Sequence, residues 1–157
     1  MTRALSPTAL SAVLAQDTGE AFLMLVSFTH TPTSETFRCV LNTEDITSRG
    51  NVYTATYFEI ALPEESDKSP QGCTITVDNV DLMLVALLRR ITQPLKVTVE
   101  VVLASSPSTV ELSLTDLVLR EVTWTEQTLT GTLSSEDPLN QRFPSHIYEP
   151  RTFPGIF

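Results

Sequence analysis

The sequence predicts a mainly β protein, an antiparallel barrel or sandwich with a short N-terminal helix, one further helix near residues 79–90 and an extended C-terminal arm. Three features carry that reading. Apolar and polar residues alternate with a period of two through most of residues 22–133, the signature of half-buried strands. Turn-forming clusters rich in Thr, Ser, Pro and Gly separate these runs. Only two short stretches carry a helical period instead.

The first helical stretch is Ser6–Gln16. Ser6 suits the N-cap because its hydroxyl can accept a free first-turn N–H, and Pro7 suits the first helical position because its missing N–H is not needed there. Leu5 precedes the cap, placed to staple onto Leu10. Ala9, Leu10, Val13 and Leu14 form one apolar stripe. So short a helix is marginal alone and must dock, either on its own β body or on a neighbouring subunit.

Strands are expected at Phe22–Phe28 and Glu35–Leu41, joined by the Thr/Pro turn that contains His30. In the second strand, Phe37, Cys39 and Leu41 share one face; Thr36, Arg38 and Val40 share the other. The turn Ser48–Asn51 leads into Val52–Ile60, read as one β segment. Pro63–Gly72 is a polar loop; its carboxylates Glu64, Glu65 and Asp67 fit no calcium-loop spacing, and a solvated loop is expected. Cys73–Val77 alternates as a strand.

The second helix is Val80–Arg90. Asp78 or Asn79 caps it, Arg89 and Arg90 sit at its negative end, and Val80, Leu84, Leu87 and Leu88 mark its buried face. Lys96–Leu103, Val110–Leu114, Leu117–Trp124 and Gln127–Leu133 then read as short strands of an antiparallel meander. The chain therefore divides into an N-terminal helical arm (1–18), a β domain (19–136) with the helix 79–90 inserted, and an extended arm (137–157).

That arm carries Phe143, Tyr148, Phe153 and Phe157 among Pro144, Pro150 and Pro154. Three prolines remove three backbone donors and hold φ near −65°. The aromatics either lie back on the protein's own body or fill pockets on a partner.

Composition narrows the function classes. The net charge of −9 repels phosphate backbones, so neither specific nucleic-acid binding nor association with an anionic membrane surface is expected. The longest apolar run, Ala21–Val26, is too short to span a bilayer, and no signal-peptide h-region follows Arg3. Synthesis in a host cytoplasm is the expectation. Cys39 and Cys73 lie in alternating apolar stretches and read as reduced core thiols. His30 and His146 accompany no nucleophile or metal motif, no phosphate-binding glycine loop occurs, and Glu100, Glu111, Asp116 and Glu121 are placed opposite the apolar faces, where solvated groups belong. No enzyme activity, cofactor or metal is expected. Trp124 shares a face with Val122 and reads as core or interface packing; with Tyr53 and Tyr57 it is also the sole aromatic platform on which a carbohydrate- or receptor-binding module would rely.

Four stretches resemble an uncharacterised family of small proteins encoded among the tail-tip genes of long-tailed bacteriophages: VYTATYFEIALPEES (52–66), CTITVDNVDLMLVALLRRI (73–91), VTVEVVLASSPSTVEL (97–112) and the ending FPSHIYEPRTFPGIF (143–157). The order of turn, Tyr-containing strand, loop, helix and long strand is also similar to the N-terminal hub region of the minor tail protein L type of lambda-like phages. The resemblance implies a barrel domain shared with tail-tube proteins, and a role in a virion tail tip as a ring of three or six copies. Its implied partners are the distal tail ring or tail tube, the central hub or spike, and the tape-measure protein. The cysteine-rich part that binds an iron–sulfur cluster in the lambda-like hub has no counterpart here, so no cluster is expected. In this setting the helix residues Leu10, Val13 and Leu14 and the arm residues Phe143, Tyr148, Phe153 and Phe157 become the interface candidates. The acidic charge would suit a tube through which DNA must slide.

Overall fold

A computed structural model describes residues 5–61, 73–78, 83–90 and 93–135. The predicted arm from 137 onward, the loop 63–72, and the proposed cap Asn79 with the first turn of the second helix lie outside these residues, whereas Asp78, the other proposed cap, is the last residue of a strand.

Helix α1 (Pro7–Leu14) forms where the capping signals place it: Ser6 is the N-cap in extended conformation, its hydroxyl accepts from the Ala9 N–H, and Pro7 opens the first turn. Nine strands follow, β1 (Phe22–His30), β2 (Glu35–Val40), β3 (Ile46–Ser48), β4 (Asn51–Ala55), β5 (Phe58–Ala61), β6 (Cys73–Asp78), β7 (Lys96–Leu103), β8 (Ser106–Trp124) and β9 (Thr128–Ser135), with α2 (Met83–Arg90) between β6 and β7. The mainly β fold agrees with the alternation pattern. The sheet is mixed rather than purely antiparallel, because β2 and β4 pair in parallel over Cys39–Thr54 and Val40–Ala55.

The strand order is β3-β4-β2-β1-β7-β8-β9-β6-β5. Laid flat, seven inter-strand steps would separate β4 from β5, roughly 34 Å at the usual spacing. Yet only Thr56 and Tyr57 connect them, a span of at most about 11 Å. The sheet must therefore roll up. The linking residues tie both ends: the Thr56 N–H donates to the Val40 carbonyl at 3.0 Å, and the Asp78 N–H donates to the Tyr57 carbonyl at 2.9 Å. No ladder joins β4 to β5 among the described residues, so the roll is completed by a bent segment and not by a closed barrel of pairs. Residues 52–60, expected as one element, are two strands that serve opposite ends of the sheet.

A second difference lies in β8. Val110–Leu114 and Leu117–Trp124 fuse into one strand that bends at register shifts opposite Val97–Val99 and after Arg120. Asp116 (φ 61°) and Glu121 (φ 51°) occupy the left-handed region at these places, as bulge residues do. The meander β7-β8-β9 is as expected.

Inside the roll, Val26, Phe28, Cys39, Phe58, Ile75 and Leu129 belong to the main apolar cluster. Val85 and Leu88 join this cluster from α2. Val85 was not on the expected face; Leu88 was, and the side chains of Val80, Leu84 and Leu87 lie outside the described set. A smaller cluster sits on the outer face, where Tyr53 and Ile46 of the β3–β4 hairpin cover Leu23, Leu25, Val40 and Val102. The molecule is thus a rolled sheet with a partial second layer.

Candidate functional site

The N-terminal helix is held by one buried carboxylate. The Ser6 N–H donates to Glu111 Oε2 and the Ser6 hydroxyl donates to Glu111 Oε1, each at 2.7 Å, while the same hydroxyl accepts from Ala9. Glu111 is only 7% exposed. A carboxylate at the positive end of a helix is also favoured by the helix dipole. This overturns the solvated position expected of Glu111; its place opposite Val110 on β8 is filled by α1.

Small residues make the contact beneath the clasp. Ala9 and Ala12 are buried, so the helix backbone lies close to the sheet. Leu10, Val13 and Leu14 turn away and stand 48%, 58% and 76% exposed. Positions i, i+3 and i+4 share one helix face, so the three form one outward apolar stripe. The sequence stripe therefore splits, with Ala9 inward and the three larger groups outward. Leu5 and Leu10 are both exposed, without the burial a staple would give. Phe143, Tyr148, Phe153 and Phe157 lie outside the described residues.

The other singled-out residues divide. His30, expected in the turn, instead ends β1 as a buried residue; its Nδ1 lies 2.7 Å from the Thr33 hydroxyl and its Nε2 has no partner among the described residues. Tyr53 is 3% exposed, whereas Tyr57 and Trp124 are exposed. The expected three-residue aromatic platform therefore loses Tyr53, and Trp124 is not in the core. Both cysteines are free; burial pushes the Cys39 thiol up to about 12. Among the described residues no group of three or more His, Cys, Asp or Glu side chains converges, and no helix is long and apolar enough to cross a membrane.

A polar cleft of about 350 Å³ lies on the outer face, between β2-β1-β7 and the β3–β4 turn. Register builds its floor. Arg38, Ser27 and Thr98 stand in one row across β2, β1 and β7, and Thr36 and Thr29 stand in the next. The turn supplies the wall. Arg49 (φ 50°) and Gly50 (φ 78°) are both left-handed, as a two-residue type I′ hairpin turn requires. Arg49 forms a two-pronged ion pair with Glu100, its Nη1 donating to Oε1 at 3.0 Å and its Nη2 donating to Oε2, and its Nε donates to the Ser48 hydroxyl at 3.3 Å. The hydrogen bonds that Arg49 donates to Glu100 raise its already high pKa, burial opposes the rise, and the Glu100 charge adds to it. Glu100, expected in solvent, is instead 12% exposed at its side chain. The sequence reading found the shared face of Thr36 and Arg38 but not the cleft, which needs the hairpin to fold over strands distant in sequence.

With this geometry in place, comparison with protein families gives one match: a family model fits residues 8–148. The chain belongs to DUF1833, a domain of unknown function. No curated protein matches it. The matched span takes in all nine strands, the outward stripe on α1, and Phe143 and Tyr148, and ends before Phe153 and Phe157.

Proposed function

We propose that the chain is a structural subunit of a bacteriophage tail tip, a hub-type or distal ring protein that links the tail tube to the central spike through ring assembly. The observation that carries this reading is the α1 stripe: three large apolar groups are held outward on a helix that is itself fixed to the β body through Ser6 and Glu111. A fixed helix with an uncovered apolar face suits a surface buried on assembly. The resemblance of the four stretches between residues 52 and 157 to tail-gene products supports the choice of assembly. In this reading the aromatic arm after residue 137 anchors each copy to a neighbour, and the protein is not an enzyme.

The test is light scattering on the full chain and on a chain ending at Asn140, each mixed with the proteins encoded beside it, with circular dichroism as the check on folding. Complexes formed by the full chain and lost with the arm support the reading. Two folded chains that both stay monomeric and bind none of the neighbouring proteins overturn it.

A further inference from the structure

The outer cleft is not explained by assembly. Its lining residues all carry polar side chains, with hydroxyls contributed by Ser27, Thr29, Thr36, Thr98 and Tyr53. Those hydroxyls are weakly engaged: Ser27 Oγ lies 3.5 Å from the Tyr53 hydroxyl, and Thr29 Oγ1 lies 3.5 Å from Thr36 Oγ1, both beyond the usual O–H···O range. They retain donor and acceptor capacity for a ligand.

The charge is equally uneven. Arg49 is matched by Glu100, whereas Arg38 lines the cleft and has no acceptor among the described residues. Lys96 is the next cation on the same face, in register with Thr29. A chain of net charge −9 thus keeps in this polar cleft a guanidinium with no acceptor among the described residues. Arg49 adds a third observation. The first position of a type I′ turn favours Asn, Asp or Gly, and a bulky side chain there is strained. The position nonetheless holds an arginine whose guanidinium fixes Glu100 at the cleft wall.

We infer that this cleft binds a small acidic saccharide of uronic-acid type. The Arg38 guanidinium takes the carboxylate through two parallel N–H donors, the geometry that arginine supplies and lysine does not. The Ser and Thr hydroxyls and the Glu100 carboxylate, an acceptor, take the sugar hydroxyls. A volume of about 350 Å³ is at the small end for ligand clefts, in keeping with a small saccharide. The inference is independent of the tail-tip proposal and survives its failure.

The test is an amide and guanidinium NMR titration of the full chain with methyl glucuronide, methyl glucoside, acetate, inorganic phosphate and an aspartate-rich peptide. The expected result is saturable shifts at Arg38, Arg49, Ser27 and Thr98 with the glucuronide, and binding weaker by about tenfold or more for the uncharged glucoside. Arg38→Met should weaken glucuronide binding by a similar factor while the amide spectrum of β1 and β7 stays native; Thr98→Val serves as a second variant if the first does not fold. Absence of saturable shifts overturns the inference. Acetate or phosphate matching the glucuronide would make this a plain anion site, and a tighter peptide would make it a protein contact; either result overturns the saccharide.

Discussion

Strands β2, β1 and β7 present two faces that differ at every other residue. Inward, Cys39, Val26 and Val99 stand in one row, and Phe37, Phe28 and Val97 in the next. Outward, the intervening rows read Arg38–Ser27–Thr98 and Thr36–Thr29–Lys96. The outward face is apolar only where the β3–β4 hairpin lies over it, at Leu23, Leu25, Val40 and Val102. The same backbone therefore carries stability on one side, while on the other it leaves a polar floor beside a small second layer. Folding constrains the inward residues by volume; the outward polar ones are not constrained by packing in the same way.

That contrast can be broken most readily from inside. Phe28 is fully buried, and Phe28→Ala should cost about 3–5 kcal/mol, read as a lowered denaturation midpoint with the slope unchanged. A loss below about 1 kcal/mol would mean that the inner face is not the source of stability.

Cys39 sharpens the comparison through pH. Its buried thiol donates to the Val26 carbonyl at 3.7 Å, and its pKa is raised from 9.0 to about 12 by burial. The unfolded chain loses this proton near its ordinary value while the folded chain keeps it. The contribution is therefore fully present below 9 and is lost as pH climbs from 9 towards 12. Cys39→Ala should flatten that part of the stability–pH curve. An unchanged slope would show that other groups set it.

The smallest effect belongs outside. Thr98→Val and Arg38→Met should each shift stability by no more than about 0.5 kcal/mol in thermal melts, since neither side chain is in the apolar clusters. A loss as large as that of Phe28→Ala would erase the distinction between the faces.

Much of this fold was legible. Ser6 and Pro7 marked the start of α1, Arg49-Gly50 lay within the marked turn, and alternation gave the facing of Thr36 and Arg38 and the β7–β9 meander. What was not legible depended on distant partners. Glu111 looks solvated by alternation, and only the arrival of Ser6 from 105 residues away buries it. The α1 stripe could not say which of its residues face inward, because the small Ala9 and Ala12 are the buried ones while Leu10 and Val13 are exposed. The 52–60 stretch keeps strand chemistry throughout, so composition did not mark the bend at Thr56-Tyr57; the bend serves β2 on one side and β6 on the other. The cleft had a faint signal: in β1 the outward residues change from Leu23 and Leu25 to Ser27 and Thr29, which marks where an outer layer stops.

In the proposed tail-tip role, the outward face of α1 is buried when the chain assembles with its own copies or with the proteins encoded beside it. The direct measurement is the mass in solution, by light scattering over a range of concentrations, of the full chain beside the double variant Leu10→Asp/Leu14→Asp. Both positions are exposed, so the variant should keep its fold and melting temperature. The expected result, with and without the neighbouring tail proteins, is an oligomer or complex for the natural chain that the variant fails to form. A natural chain that stays monomeric and binds none of those proteins, or a variant that assembles equally well, would contradict this reading.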